Sequence, residues 1–405
     1  AESWSDRVLD GSALVVDAIL GTGATGPPRD TAADAIAAIS RFAADGGHVI
    51  ACDVPSGVDA TTGETPGVAV RARTTVTFHA ATPGLWIAPG KALAGRVRVA
   101  DIGIPDDRGA AGRPAAWAGL LTDRLVAALP TRGASGTKFR SGHVVVVGGA
   151  PGMVGAPCLA ARGAMRAGAG YVTLATPGEL ATAAAAHAPV EALAMTLPTD
   201  PTAAADAVLE TLGRHDGTLV LGPGLGRSTA AFRLARALVG GAAGPLVVDA
   251  DGLAAYAGDP EGLRHHGASV LTPHAGELAR LLDRPGGAVA ARRLHHAHDA
   301  AVRSDAIVVL KGDDTLVVAP DGRTAISPGG VPGLATAGTG DVLAGTVGAL
   351  LARGTDGFVA AAAAVRLHAL AGMLATEEHG ADGVVAGDVA EALGRARRRA
   401  AAGSD

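Results

Sequence analysis

This sequence predicts an α/β protein built on parallel sheets and divided into two domains, and three observations predict it. Short β-branched runs alternate with Ala- and Leu-rich helical stretches, the later runs are apolar at successive positions, and glycines gather directly after them. Continuous apolar strands belong in a parallel sheet covered on both faces, and ligands of such sheets collect at the carboxyl ends of the strands. At 405 residues the chain also exceeds the roughly 250 to 300 residues at which a single hydrophobic core stops growing.

The first half reads as strand, glycine loop, helix, strand. Ala13 to Leu20 is the first strand, Gly21-Thr22-Gly23 the loop, Asp34 to Ala44 an Ala/Ile-rich helix, and His48 to Cys52 a second strand ending at Pro55-Ser56-Gly57. Strands at Thr74 to Phe78 and Arg96 to Ala100 follow. This piece is short for covering both faces of a sheet and reads as part of a domain. Asp106 to Pro114 has no periodicity and carries turn residues, which places a linker at 106–116 between domains at 1–105 and 117–402.

The second half repeats βα units. Val144 to Val147 precede a glycine-rich loop and a helix around Cys158 to Ala167; Tyr171 to Ala175, Leu219 to Leu221, Leu246 to Val248, Val270 to Leu271 and Ile307 to Leu310 are further buried strands. Three helical stretches after Gly340 close the sheet, and no repeat of solenoid period is visible.

Charge and cysteine content narrow the function. A net charge of -5 and 18% charged residues leave no basic stripe for nucleic acid and no polybasic tail for a membrane surface. Small molecules and further copies of the chain are the expected partners. The two cysteines, Cys52 and Cys158, stand apart in apolar settings, so no disulfide framework or metal pair is suggested and a reducing cytoplasm fits. The Ala-rich stretch from Val359 to Ala375 is interrupted by Arg366 and His368, short of the ~20 apolar residues of a membrane span. The chain starts at Ala1 almost directly on a strand and reads as cut rather than as a natural start.

Chemistry concentrates in Gly333-Leu334-Ala335-Thr336-Ala337-Gly338-Thr339-Gly340-Asp341. From Val342 onward Val342, Leu343, Val347, Leu350 and Leu351 recur at helical spacing, so Asp341 falls in a first helical turn. Free N–H groups and the positive end of the helix dipole collect there and hold an anion such as a transferring phosphoryl group. Three other post-strand segments could share its crevice: Gly222-Pro223-Gly224-Leu225-Gly226, Thr272-Pro273-His274-Ala275-Gly276-Glu277 and Lys311-Gly312-Asp313-Asp314-Thr315. Taken singly, a Gly-Pro-Gly turn is a structural loop and a Thr-Gly-Asp an N-cap as readily as a site. Their joint order is the signal.

In that order these residues resemble the ADP- or ATP-dependent NAD(P)H-hydrate dehydratases, a branch of the ribokinase-like superfamily, through nearly all of 117–399. The resemblance includes Lys138 to His143 leading into Val144-Val145-Val146-Val147-Gly148-Gly149, then Gly152 to Ala156, Ala167-Gly168-Ala169-Gly170, Asp249-Ala250-Asp251-Gly252-Leu253 and Leu271-Thr272-Pro273-His274. Departures stand at Val331 and Ala254, where the family usually has Asn, and at Ala337, where it has Gly. The first domain resembles the carboxyl-terminal half of NAD(P)H-hydrate epimerase through Val16 to Gly23, Asp53-Val54-Pro55-Ser56-Gly57-Val58-Asp59 and Val99 to Pro105. The family's earlier Asn/Gly/Asp-rich signature, which supplies another potassium ligand and much of the substrate loop, does not occur in this sequence.

The resemblance implies a ribokinase-like parallel-sheet sandwich preceded by a partial Rossmann-like α/β domain. It implies ADP- or ATP-dependent dehydration of (6S)-NAD(P)HX, joined in the intact protein to epimerisation of the R and S forms. Asp341 becomes the catalytic base, ionised by its helix N-terminus, with N–H groups of Gly338, Thr339 and Gly340 donating to the transferring charge. Ala156, Gly224, His274 and Asp341 meet NADHX or NADPHX, Ala156 and Gly224 by letting the backbone approach it. Lys311, Gly312, Asp313, Asp314, Thr315 and Gly340 meet the adenosine nucleotide, and Glu277 helps hold magnesium through water. In the first domain Asp17 and Ser56 become potassium ligands, and Gly21, Thr22, Gly23, Ala24, Thr25, Gly26, Pro27 and Asp53 the epimerase's substrate contacts. The family also implies a homotetramer. The alternative reading of His274 is a polar loop histidine, and that of Asp17 and Asp53, equally open from the residues alone, is of strand-end acids capping turns.

Two clusters are set aside. Of His295, His296 and His298 only the first and last share a helix face and no cysteine is near, so a solvated surface is expected; Arg395, Arg397, Arg398 and Arg399 read as a solvated helix end. A ribokinase-like kinase for a vitamin-precursor alcohol would use the same glycine turn and Asp341, and a nucleotide-binding module without activity is the third reading.

Overall fold

The computed structural model describes residues 6–104, 117–133 and 136–403; the expected linker at 106–116 lies outside them. The chain divides into two compact units, Ala1–Gly119 with Gly287–His296, and Leu120–Gly286 with Ala297–Asp405.

In the first unit β1 (Leu14–Asp17), β2 (His48–Cys52), β3 (Thr74–Phe78) and β4 (Arg96–Ala100) form a parallel sheet in that order. Helix α1 (Asp30–Ala44) joins β1 to β2, and short α2 (Gly90–Ala94) precedes β4. Ile36 and Ile39 of α1 pack with Val15, Val49, Ala51 and Val70, one buried apolar cluster. The strand expected over 13–20 stops at Asp17 because side chains take over its backbone bonding. The buried Asp17 carboxylate accepts hydrogen bonds from the Ser56 N–H (2.8 Å), the Ser56 hydroxyl (2.6 Å) and the Ile19 N–H (3.4 Å), while the Leu20 N–H donates to the Ser56 hydroxyl at 2.9 Å.

The second unit runs β5 (Ala118–Leu120), α3 (Asp123–Ala127), β6 (His143–Val147), α4 (Gly155–Ala167), β7 (Tyr171–Pro177), α5 (Ala181–His187), β8 (Leu193–Leu197), α6 (Pro201–Gly213), β9 (Thr218–Leu221), α7 (Thr229–Gly241), β10 (Leu246–Val248), α8 (Ala250–Ala254), β11 (Ser269–Leu271) and α9 (Ala275–Leu281). After α10 (Gly286–Ala291) and α11 (Arg293–Ser304) come β12 (Ile307–Leu310), β13 (Leu316–Val318), β14 (Thr324–Ile326), α12 (Thr339–Ala352), α13 (Gly357–His379) and α14 (Ala386–Ala402).

Its sheet has the order β5-β14-β13-β12-β11-β10-β9-β6-β7-β8. From β12 to β8 all neighbours are parallel, whereas β13 and β14 add an antiparallel hairpin that the sequence reading did not anticipate. Val144 to Val147 of β6 are fully buried, as a central strand covered on both faces requires. The strand order reverses between β6 and β9, and such a switch point opens a crevice at the carboxyl ends.

Helix α12 is buried at every position from Val342 to Leu351 and lies across α4. Backbones touch at this crossing: a methyl group on Gly345 would overlap the Ala160 carbonyl, and one on Gly163 would overlap that of Val342. The contact fixes where the first turn of α12 points. Helix α13, 23 residues with mean hydropathy 1.7, is long and apolar enough to cross a membrane, yet 72% of its apolar window is buried inside the unit, which makes it a core helix. Arg366 and His368, which break its apolar run in sequence, are accommodated by an ion pair to Asp123 and by burial.

The basic end of α14 is not simply solvated. Arg397 donates to the carbonyls of Leu129 (3.0 Å) and Pro130 (2.6 Å), while Arg395 and Arg399 pair with Glu378 and Glu377 of α13. His295 and His298 are exposed as expected, but His296 is buried.

Candidate active site

Five loops meet at the carboxyl edge of the large sheet. The loops after β11 and β12 run side by side, with a bridge between His274 and Lys311 and a bond from the Lys311 N–H to the Pro273 carbonyl at 2.8 Å. Lys311 Nζ lies 2.9 Å from Asp249 Oδ1, at the end of β10, and 3.7 Å from Glu277 Oε2, in α9. A methyl group on Gly340 would come within 3.4 Å of Lys311 Nζ, so this ammonium also sits beside the first turn of α12. Asp251 accepts from the Gly226 N–H at 3.0 Å and from Arg227 Nε at 2.8 Å, joining the loop after β9 to that after β10.

Asp341 is the third residue of α12, behind Gly338, an N-cap in the left-handed region at φ 89. Glycine has no side chain with which to cap, so the first-turn N–H groups are left for an anion. Burial, with the negative charge of Asp249, Glu277 and Asp251, outweighs the pull of Lys311 and lifts the Asp341 carboxyl to about 7. This corrects the expectation that the helix N-terminus keeps it ionised. A carboxyl that changes protonation near neutral pH is the result. Burial alone would depress the Lys311 ammonium; Asp249 and Glu277 reverse this and the net shift is upward, so it stays a cation.

A cavity of about 520 Å³ opens on this turn. Lys311, Gly312, Asp313 and Thr315 line it together with Thr339, Gly340 and the apolar Pro332, Leu334, Leu343 and Val365; Asp341 adjoins Gly340 in sequence but is not itself in the lining. Expected nucleotide residues thus share a space large enough for a nucleotide. Asp314 is the exception: it is buried and absent from the lining.

Gly224, at φ 60, packs closely on one side: a methyl group there would meet the Met153 carbonyl at 2.5 Å and the Ala156 Cβ at 3.2 Å. The closeness of Gly224 and Ala156 is therefore spent on protein packing, which seats the loop after β9 on the start of α4. His274 caps α9, its Nδ1 accepting from the Gly276 N–H at 3.0 Å, and Glu277 returns a bond to the His274 N–H at 2.8 Å, a capping box. Its ring is 54% exposed, which leaves it reachable from solvent.

Sequence reasoning gave no role to Asp249, Asp251 or His368. The signal for the first was present, an acid one residue beyond an apolar strand, and the structure adds Ala250 at φ 46. His368, in the middle of α13, belongs to no motif that the reading weighed; burial lowers its ring to about 4, so it lines the cavity neutral.

In the first unit Asp53 sits in the left-handed region at φ 72. Its Oδ2 accepts from the Thr22 N–H at 3.4 Å and its Oδ1 from the Thr77 hydroxyl at 3.2 Å, which brings the carboxylate onto the Gly21 to Pro27 loop. A strained, non-glycine position held by side-chain bonds is typical of a functional turn.

Comparison with known proteins agrees with this geometry. Residues 144–395 match the family described as NAD(P)H-hydrate dehydratase, and residues 2–84 match that described as YjeF-related protein N-terminus. The bifunctional NAD(P)H-hydrate repair enzyme of Moorella thermoacetica is 41% identical over 94% of this chain and 72% of its own length. The chain belongs to the family of bifunctional NAD(P)H-hydrate repair enzymes. The Escherichia coli member is 33% identical over 94% of this chain and 71% of its own length. Among solved structures, the ADP/ATP-dependent NAD(P)H-hydrate dehydratase of Bacillus subtilis, co-crystallised with ATP and magnesium, is 30% identical with a TM-score of 0.61 and covers 69% of this chain and 98% of its own. A ribokinase-like superfamily protein from Enterococcus faecalis, 23% identical with a TM-score of 0.61 over 72% of this chain and 99% of its own, shares the fold. The repair enzymes join a dehydratase, a lyase, to an epimerase, and both parts have their counterparts in this chain.

Proposed function

We propose that the second unit, within the expected 117–402 domain, dehydrates (6S)-NADHX or (6S)-NADPHX at the expense of ADP or ATP, and that Asp341 is its base. The observation that carries this reading is a largely buried carboxyl in an uncapped first helical turn, directly after Thr339 and Gly340, which with Lys311 line a nucleotide-sized cavity, and its lift to about 7.

Hydroxide leaves carbon poorly, whereas phosphate leaves well. The substrate's ring hydroxyl attacks the terminal phosphorus of the nucleotide and gives its proton to Asp341; the P–O bond to AMP (or ADP) breaks, and the N–H groups of Thr339 and Gly340 receive the charge on the transferred group. The ring nitrogen's electron pair then expels phosphate with the electrons of the C–O bond, and loss of a proton from the adjoining carbon restores the dihydronicotinamide. Lys311, Gly312, Asp313, Thr315 and Gly340 hold the nucleotide, Asp314 supports them from below, and Ala156, Gly224 and His274 border the dinucleotide.

Among the described residues no three His, Cys, Asp or Glu side chains converge to cage a metal. Magnesium carried on the nucleotide's phosphates and meeting Glu277 through water suits that donor set, and its chemistry is to neutralise phosphate charge. In the first unit the buried Asp17 carboxylate has hydroxyl and amide donors but no Lys or Arg partner among the described residues, which fits a potassium ion at Asp17 and Ser56. Asp53 and Gly21 to Pro27 would then form the substrate side of an epimerase. The reading includes a cytoplasmic homotetramer, as the two free cysteines and the family suggest.

The test is to incubate NADHX with the protein, magnesium and either ADP or ATP while following dihydronicotinamide absorbance and phosphate release. The native protein should recover absorbance and release one phosphate per turnover; Asp341→Asn should lose about a thousandfold or more in kcat. A stable phosphate ester as product would mark a kinase instead, and equal rates in both proteins would discard the role of Asp341.

A further inference from the structure

A hydroxyl straps the turn that carries Asp341. Thr339, buried at the first position of α12, places Oγ1 2.9 Å from the Leu334 carbonyl and 3.0 Å from the Thr336 carbonyl. A hydroxyl has one proton to donate, so the bond is shared between two acceptors across the loop.

The two sides of this loop have different surroundings. Leu334, Ala335, Thr339 and Gly340 all line the cavity. On its other side the loop rests on α13: a methyl group on Gly372 would meet the Leu334 side chain at 2.6 Å, and Gly333 packs against the Thr376 side chain. Between Leu334 and Thr339 stand Ala335, Ala337 and Gly338, whose side chains carry no hydrogen-bonding group, and Thr336, whose backbone carbonyl is one of the two acceptors. Gly338 in particular cannot cap the helix it begins. The hydroxyl that spans from the first residue of α12 back across this segment is that of Thr339.

We propose that Thr339 is a positioning residue for phosphoryl transfer: its hydroxyl ties the apolar wall of the nucleotide cavity to the amide groups at the start of α12, so that a seated nucleotide finds the anion pocket aligned with Asp341. This rests on reading the cavity as the nucleotide site. The role differs from that of a backbone donor, because it resides in the hydroxyl and survives in serine.

Thr339→Val keeps the shape and removes the donor; Thr339→Ser keeps the donor. Both are compared with the native full-length protein for kcat, for KM of NADHX and of ADP with magnesium, for the pH profile, and for the thermal midpoint. The valine variant should lose about ten- to a hundredfold in kcat, the scale of a small misplacement of reacting groups, with KM for NADHX within about twofold. Its pH midpoint near 7 should stay, since the acids around Asp341 are untouched. The serine variant should recover kcat to within about threefold of native. Should the valine variant fail to fold, Thr339→Ala, which also removes the hydroxyl, supplies the same reading. A donor-less variant that folds and turns over within twofold of native, or a serine variant as slow as the donor-less one, overturns the proposal. A native protein that yields no dihydronicotinamide overturns the dehydratase reading instead.

Discussion

At the residue scale the site sets the Lys311 cation against three acids, Asp249, Glu277 and Asp341, with Asp251, paired to Arg227, adding its charge to theirs. The carboxyl with least hydrogen bonding, Asp341, is lifted to about 7. A base must be ionised to accept a proton, so kcat/KM should rise with pH and level off above about 7. The same shift acts on stability. Asp341 holds its proton in the folded protein up to about 7 but releases it near 3.8 when unfolded, so stability falls as pH climbs through that window and the whole penalty is present above it. Asp341→Asn, which cannot ionise, should thus gain about 2 kcal/mol of stability at pH 8 after allowing for partial exposure, read as a raised thermal midpoint, and show little change at pH 4. An unaltered midpoint at pH 8 would mean the carboxylate is compensated. Lys311→Met removes the attraction that restrains this shift. The pH–rate midpoint should then move above 7 and the KM for ADP rise about tenfold, and a midpoint that stayed or fell would refute the balance of charges described here.

At the element scale, legibility followed the length and continuity of the apolar run. β6, β9, β10 and β12 were read within a residue of their ends because each is an uninterrupted apolar run within the repeating βα pattern. β13 and β14, three residues each, were missed since they stand outside that repeat, and what makes them strands is each other, through pairs such as Leu316 with Ile326. β1 was read too long because Asp17 and Ser56, distant in sequence, end it through side-chain bonds. The site was legible where chemistry is local, as in the glycine turn and Asp341. It was illegible where it is made by convergence: that Asp249 pairs with Lys311, 62 residues away, or that Gly224 is filled by Met153 and Ala156, follows only from strand order. The same logic makes the crossing of α4 and α12 the element-level control of the site. Gly345→Ala forces a methyl group into the Ala160 carbonyl and pushes α12 outward, so it should cost about 1–3 kcal/mol of stability and also lower kcat, though Gly345 lies a full turn from Asp341. Loss of stability with undiminished kcat would show that the turn is positioned from elsewhere.

At the scale of the whole molecule, the groups assigned to dehydration all belong to one compact unit. Asp249, Glu277, Lys311 and Asp341, with the cavity wall from Ser327 to Ala369, lie in Leu120–Gly286 and Ala297–Asp405. Asp17, Asp53 and Ser56 lie in the other. The four-stranded sheet lies in the first unit and strands β6 to β14 of the larger sheet lie in the second, so each core can respond to its own ligand. A ligand stabilises what it binds by RT ln(1 + [L]/Kd), about 2.7 kcal/mol at a hundredfold excess over Kd. ADP with magnesium should therefore slow amide exchange in β9 to β12 and α12 by up to about a hundredfold where exchange requires opening of that unit, and leave β1 to β3 unaltered. The measurement is peptide-resolved hydrogen exchange on the full chain with and without nucleotide. Equal protection in both sheets would show that the two units open together, and the repair reaction would then have to be described for the chain as one cooperative body.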